Sequence, residues 1–306
     1  MWGRIIKKGT FLTIVALIAM LCPGAFSEAH EIVVLKSAEI KPYNEALAGF
    51  KHSCDCRLRE LLLSDIKNQD LQREVHDINP DMVLAIGMDA FTQAREIRDR
   101  PVVYTMVPDS RALSLSPENV SGVSMYISPG KYLDTMLELF PEVKRVGLVY
   151  DPKHTGVFVK EALKVAGARG IELVIKKADE ARDVPLLIDS MKGGIDLFWM
   201  LPDTTVVNSE TVNYMLLFSF QNRVPIFTFS KKYLVMGALA SLSIDPFYLG
   251  VQAGEIANKS FYKENIRPPA RVYARKTVLT INRKVAEKMG INIRNEIIES
   301  AEELNE

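Results

Sequence analysis

The sequence predicts an α/β protein built as two doubly wound, parallel-sheet lobes, and three observations predict it. From Glu31 onward short apolar runs alternate with longer helix-like segments, the pattern of βαβ units with right-handed crossovers. The rhythm runs through five strands, then starts again and runs through four more before a mixed last section. Polar side chains stand just past the apolar runs, at the carboxyl ends of strands, where open α/β sheets bind their ligands. The stretch Ile195 to Leu201 shows this best: it is apolar on both faces apart from Asp196, as a strand inside a parallel sheet should be. Pro202 stops it, and Asp203-Thr204-Thr205 then precedes a helix that Asn208 or Ser209 caps.

Taken in order, the first 29 of 306 residues read as a secretory signal. Arg4, Lys7 and Lys8 form a positive start, Phe11 to Leu21 an apolar core too short to span a bilayer, and Ser27-Glu28-Ala29 a small-residue cleavage site. Cys22 raises lipid anchoring, but Met20 and Leu21 are bulky where a lipobox needs small residues, so soluble export is the expectation. Strands are expected at Ile32–Lys36, Arg57–Leu63, Asp81–Gly87, Pro101–Val107 and Val120–Met125, with helices at Asn44–His52, Asn68–Ile78 and Ala90–Arg98 between them. Asn79-Pro80 ends the second of these helices.

The second run opens with a helix at Lys131–Phe140, closed by Pro141. Arg145–Tyr150, Ile171–Lys177, Ile195–Leu201 and Pro225–Phe229 are its strands; His154–Arg169, Val184–Met191 and Ser209–Gln221 are its helices. The last section holds a strand at Ala238–Ile244 ending in Asp245-Pro246, a helix at Tyr248–Tyr262 and an extended piece at Ala270–Ile281, which read as chain crossings between the lobes. A short helix at Arg283–Met289 stops at Gly290, and an acidic tail follows from Arg294.

Charge and composition exclude several function classes. Removing Arg4, Lys7, Lys8 and Glu28 from 38 basic and 38 acidic residues leaves 35 and 37, a net charge near −2. No basic excess remains to hold phosphate backbones, so no nucleic-acid partner is expected. There is no G-x-S-x-G elbow, phosphate loop or dinucleotide turn, and the four histidines are scattered, so catalytic residues and cofactors are expected to be none. His76 reads as a surface residue, and His154 as a solvated loop histidine close to a strand end. His52-Ser53-Cys54-Asp55-Cys56 invites a metal reading, but no fourth ligand stands nearby, and no metal is expected. An i, i+2 disulfide is strained in an extended strand, so Cys54 and Cys56 are read as two small side chains at a strand start.

The candidate ligand-binding residues are those at strand ends. In the first run they are Ser37 and Tyr43, then Gly87-Met88-Asp89, then Asp109; in the second, Asp151 and Thr155, Asp203 and Thr204, then Ser230. Ser124 and Asp245 fall at the crossings. With the two sheets facing each other, Asp203 is placed to hold an ammonium, and Thr204, Thr155 or Ser230 to hydrogen-bond a carboxylate, helped by helix amino ends. Tyr43 and Phe229 are placed to sandwich an apolar or aromatic portion. The plainer alternatives are a helix-capping role for Asp203, a half-buried aromatic role for Tyr43, and a turn-capping role for Ser230 at Lys231-Lys232.

Several stretches, in order and over nearly the whole chain, resemble the ABC-transporter substrate-binding proteins of the tryptophan/tyrosine-binding type, which have the type I periplasmic-binding fold. They are Lys36-Ser37 with Pro42 to Phe50, Pro80 to Gly87, Asn119 to Ser124, Phe140 to Gly147, Leu201 to Val206, Gly237 to Ser241, Leu249 to Ala257, and Thr280-Ile281-Asn282. Met88-Asp89 departs from the pattern, where relatives carry a small or hydroxyl residue, and Cys54-Asp55-Cys56 is unusual. The resemblance implies three hinge crossings between lobes, closure on a small ligand such as an amino acid, delivery to a membrane ABC permease, and no catalysis. The corresponding organisation is a signal peptide over 1–29, a first lobe of 30–124 plus 246–268, a second of 125–245 plus 269–293, and an acidic tail over 294–306. The expected protein is a monomer, periplasmic or otherwise extracytoplasmic. The alternative function is a ligand-sensing module that presents its closed state to a membrane receptor or kinase.

Overall fold

The structure, a computed structural model, describes residues 30–66, 71–108, 117–262 and 272–304. The expected signal segment and Asp109 lie outside the described residues. The first run gives β1 (His30–Lys36), α1 (Lys41–Ser53), β2 (Cys56–Leu62), α2 (Leu71–Ile78), β3 (Met82–Ile86), α3 (Met88–Ala94), β4 (Val102–Val107) and β5 (Val120–Ser124). The second gives α4 (Pro129–Leu139), β6 (Arg145–Tyr150), α5 (Gly156–Ala166), β7 (Glu172–Lys177), α6 (Val184–Asp189), β8 (Leu197–Trp199), α7 (Ser209–Asn222), β9 (Ile226–Thr228), α8 (Lys232–Met236) and β10 (Ala240–Ile244). The last section gives α9 (Pro246–Tyr262), β11 (Val272–Tyr273), β12 (Thr277–Ile281), α10 (Arg283–Met289), α11 (Asn295–Ser300) and β13 (Glu302–Glu303).

Two separate sheets result, one per lobe. The first has six strands in the order β11-β5-β4-β3-β1-β2, all parallel. The second has seven in the order β13-β12-β10-β9-β8-β6-β7, parallel except where β10 meets β12. Each sheet is buried on both faces, which is why β3, β4 and β5 are buried at every residue and read as unbroken apolar runs. In the first lobe Ile32, Val34, Leu84 and Ile86 face α1 and α9 through Phe50, Leu249 and Ala253, while Val33, Leu35, Val83 and Ala85 face α2 and α3 through Val75 and Phe91. In the second lobe Leu148, Leu197, Trp199 and Phe227 pack under α4, α5 and α10, and Val149, Phe198, Met200 and Ile226 under α6, α7 and α8.

The helix pair α1 and α9 is joined backbone to backbone. A methyl group built on Gly49 would lie 1.9 Å from the Phe247 carbonyl oxygen, and one on Gly250 would lie 1.8 Å from that of Ala46. Only glycine permits this approach. The contact anchors the chain where it returns to the first lobe after β6 to β10 of the second.

Three findings differ from the sequence expectations. Cys54 and Cys56 are joined in a disulfide: Cys54 caps α1 and the chain turns from helix to strand there, bringing the two Cα atoms to 5.5 Å, inside disulfide range. Val272 and Tyr273 pair with Val123 and Ser124 of β5, so the first lobe keeps the chain past the expected boundary at 268/269 and the crossing falls after β11. The acidic tail docks on the second lobe, where β13 adds to β12 and Ile297, Ile298 and Ala301 pack against the core. Its charge hides three apolar side chains on one face of a single helical turn and the residue after it. Among the described residues no helix is long and apolar enough to cross a membrane.

Candidate ligand-binding site

Both sheets share one device. The first strand of each lobe lies between the second and third, giving β2-β1-β3-β4-β5 and β7-β6-β8-β9-β10, so the loops after β1 and β3, and after β6 and β8, leave in opposite directions. Such a reversal opens a crevice at the carboxyl ends of the strands. Apart from Ser230, which follows β9, the sequence-predicted residues among the described ones divide between these two switch points and the crossings.

At the first switch point Ser37, Tyr43 and Gly87 come together. The Ser37 amide donates to the Ile86 carbonyl at 3.0 Å, and the Ser37 Oγ accepts the Ala90 amide at 2.9 Å, tying the loop after β1 to α3. Gly87 has φ +94°, and a Cβ there would meet the Ser37 Oγ at 2.5 Å and the Tyr43 hydroxyl at 2.7 Å. A side chain is therefore excluded twice, by conformation and by space. Met88 opens α3 half-buried, and Asp89 beside it is exposed. Burial first, and then the Asp89 charge, push the Tyr43 phenol above its usual pKa. Behind this wall β4 carries a bulge between Tyr104 and Val107, with buried Met106 at φ +57°. Bulges and left-handed non-glycine residues concentrate beside functional sites.

Lys36 is buried at the end of β1, with its ammonium 2.6 Å from Glu39, 3.3 Å from Glu60 and 3.3 Å from Asn44 Oδ1. Burial alone would lower its pKa; the bonds to Glu39 and Glu60 outweigh that and raise it. Lys36 holds the base of the loop after β1 and has no charge left over.

The second switch point is built differently. Asp203 is 1% exposed, and its carboxylate takes four donors from the chain. Oδ2 accepts the Asp151 amide at 2.8 Å and the Thr155 hydroxyl at 2.6 Å; Oδ1 accepts the Thr205 and Val206 amides at 3.1 and 3.3 Å. Asp151, also buried, accepts the Lys153 amide at 2.8 Å and the Thr205 hydroxyl at 2.7 Å. The Lys153 amide first, and then Thr205, hold the Asp151 carboxyl below the usual range. These reciprocal bonds lock the loops after β6 and β8 together. Asp203 is thus engaged inside its own wall rather than presented to an ammonium, and it caps no helix: Asn208 caps α7 in a capping box with Thr211.

Thr155 stands at the N-cap of α5 but gives its hydroxyl to Asp203, so α5 opens with no side-chain cap. Thr204 is exposed beside it. Ser230 is half-buried at the end of β9, where its Oγ accepts the Lys232 amide at 3.3 Å. Phe229 lies edge-on to Tyr233, with ring centres 5.3 Å apart. His76 and His154 are exposed, His154 with its Nε2 3.7 Å from Asp151.

At the crossings, buried Ser124 accepts the Tyr126 amide on its Oγ at 3.1 Å. Asp245 accepts the Tyr248 amide at 3.3 Å and lies 3.8 Å from the Lys276 ammonium, which stands 3.5 Å from the Tyr248 ring centre. The second and third crossings are tied together by this lysine. Tyr126, on the first crossing, packs on Tyr273 of β11 at 5.0 Å and on Phe158 of α5 at 5.9 Å, and its hydroxyl donates to Glu161 of α5. Thr205, Tyr126 and Phe158 were not singled out from the sequence. Nothing there says which of two adjacent threonines turns inward, and the tyrosine and phenylalanine acquire a shared environment only when three distant segments meet.

The profile of the family described as ABC transporter substrate binding protein matches residues 64–305. Among curated proteins, a tyrosine-binding protein of Clostridioides difficile is 28% identical over 186 residues, 58% of this chain and 53% of that protein, so the chain spans about half the length of this relative. An uncharacterized protein of Rickettsia prowazekii is 22% identical over 79% of this chain and 75% of its own. The fold is similar to the ligand-free, open structure of a substrate-binding protein with adhesive properties from Clostridium difficile, with TM-score 0.76, 21% identity, and coverage of 90% of this chain and 99% of that one. It is also similar to a Streptococcus pneumonia ABC domain in complex with L-Trp, with TM-score 0.58, 18% identity and the same coverage. The two lobes with parallel-dominated sheets are the architecture of type I periplasmic binding proteins. On its residues 64–305, the chain belongs to the ABC transporter substrate-binding protein family.

Proposed function

We propose that this protein is exported, binds an amino acid between its lobes, and presents the closed form to an ABC permease. The observation that carries the reading is the pair of switch points, one per lobe, joined by crossings at Ser124–Pro129, Ile244–Pro246 and Tyr273–Thr277. Ser37, Tyr43, Gly87 and Met88 form one wall; Thr155, Thr204 and Ser230 form the other. Ser124 and Asp245 hold the hinge, and Asp203 positions Thr155 and the start of α5. That helix start, uncapped by a side chain, supplies partial positive charge for a ligand carboxylate. A ligand touching both walls binds the closed form better than the open one, and this difference drives closure. A micromolar ligand supplies about 8 kcal/mol, ample for closing a small cleft.

The names of the relatives support an aromatic amino acid: one is a tyrosine-binding protein and one holds L-Trp. Calorimetric titration with L-tyrosine and L-tryptophan, paired with small-angle scattering, tests the reading. Binding accompanied by a smaller radius of gyration is expected. A panel of metabolites in which nothing binds, or binding with no change in shape, would sink it.

A further inference from the structure

On the first crossing the chain changes lobe at a single residue. The Met125 amide donates to the Val107 carbonyl at 3.1 Å and its side chain packs in the first lobe, whereas Ile127 is buried in the second core and Ser128 caps α4. Tyr126 lies between. On the third crossing buried Gln252 of α9 donates to the Tyr273 carbonyl at 3.1 Å and accepts the Arg275 amide at 2.9 Å. That chain is therefore fixed to the first lobe as far as Arg275, and from Thr277, which pairs with Ile244, it belongs to the second sheet. The Tyr126 side chain spans the joint: its ring rests on Tyr273 of the first lobe and on Phe158 of the second, and its hydroxyl donates to the Glu161 carboxylate of α5. Phe158 lies 5.4 Å from the buried Trp199 ring and 6.0 Å from that of Tyr132, so this support is set in the second core. The cleft itself is not bridged. Among the described residues no hydrogen bond or ion pair joins Ser37, Tyr43, Gly87 or Met88 to Thr155, Thr204 or Ser230, and Ile40 and Val157, at the starts of α1 and α5, are 45% and 76% exposed.

We propose that Tyr126, bonded to Glu161 across the joint, is a latch that holds the lobes apart in the ligand-free protein and thereby sets its affinity. The proposal rests on the reading of the protein as one that closes on a solute, and names what opposes closure. Closure turns α5 with the second lobe while Met125 and Tyr273 stay with the first, so the supports of the Tyr126 side chain move relative to each other. A hydrogen bond tolerates a displacement of only a few tenths of an ångström, and packed contacts switch between arrangements rather than stretch. The bond to Glu161 is therefore a feature of the unbridged arrangement, and its loss is a cost of the closed one. A ligand has to meet that cost from its differential affinity for the two states. Because apparent affinity is reduced by the fraction of molecules competent to bind, weakening the latch tightens binding without adding a contact to the ligand.

The test uses Tyr126→Phe, which keeps the ring and removes the hydroxyl, Glu161→Ala, which removes the acceptor, and the two combined. Spin labels at Lys41→Cys and Glu210→Cys, exposed positions at the starts of α1 and α7, report the distance between the lobes by pulsed electron paramagnetic resonance. In ligand-free protein the population at the shorter distance is expected to grow in each single variant. Calorimetry with L-tyrosine and L-tryptophan is expected to show affinity about 3- to 10-fold tighter in each, with the double variant matching the single ones rather than their sum. Unchanged distances, or effects that add in the double variant, overturn the latch and leave the binding function standing. A variant that opens further and binds more weakly overturns it too. If wild type binds neither amino acid, the ligand-free distances still decide the latch, while a thermal-shift panel of metabolites decides the binding function on its own. Variants that only melt earlier, with wild-type distances, reduce Tyr126 to a packing residue and overturn the proposal.

Discussion

The two switch points have the same topology and opposite chemistry. In the second lobe two buried aspartates and two threonines satisfy one another, so the loops after β6 and β8 behave as one piece. In the first lobe the corresponding loops are joined through the Ser37 amide and Oγ, while Tyr43 is half-buried and Asp89 exposed. The second switch point is held by a closed set of side-chain and backbone bonds, the first by the two bonds of Ser37. A carboxylate in a binding cleft is thus no guide to ligand charge until its donors have been traced. Asp203 and Asp89 both follow a buried strand, and Asp203 alone of the two is buried among donors of its own chain.

Removing the better-satisfied carboxylate should have the largest effect. Asp203→Ala strips an acceptor from three backbone amides and a hydroxyl, and a loss of roughly 3–5 kcal/mol is expected in urea unfolding, with ligand affinity at least tenfold weaker. A loss below about 1 kcal/mol would mean that the second wall is not held as described. Gly87→Ala adds a methyl group to a left-handed backbone against Ser37 and Tyr43; about 2–3 kcal/mol of stability should go, and ligand titration should show the first wall displaced. Ser37→Ala takes one acceptor from the Ala90 amide and should lose about 1 kcal/mol in the same assay.

The response to pH separates the walls again. Asp151 has a folded-state pKa below its unfolded one, so its contribution is complete above about pH 4 and is lost as pH falls through the folded value. Urea midpoints measured between pH 5 and pH 3 should fall more steeply for wild type than for Asp151→Asn. The smallest effect is expected of Asp89→Asn, whose unfolding free energy should stay within about 0.5 kcal/mol of wild type. A large change there would place Asp89 in the same structural class as Asp203 and erase the contrast.

Much of the architecture could be read from the chain. Apolar runs buried on both faces announced β3, β4, β6 and β8, and the turn residues Pro141, Gly170 and Gly290 marked helix ends close to where they fall. Resolution was lost at the edges: Ile195–Leu201 contracts to Leu197–Trp199, because only those residues pair as a strand with β6 and β9. The Cys54–Cys56 bridge is not legible in the spacing, because an i, i+2 pair reaches disulfide range comfortably only where the chain turns, here at the end of α1. The sequence also placed Ser37, Tyr43 and Gly87 at strand tips, but their convergence around one space is a tertiary contact.

What the sequence by itself determined was the order of strands and helices and the polarity of the strand tips, because periodicity and burial follow from local composition. Which lobe holds Val272–Tyr273, that the tail docks, and which carboxylates are already occupied were decided only in three dimensions. The physical reason is that hydrogen-bond satisfaction depends on partners some fifty residues away, as with Asp203, Asp151 and Thr155. A side chain's type announces what it is able to bind; its neighbours decide whether anything is left to bind with.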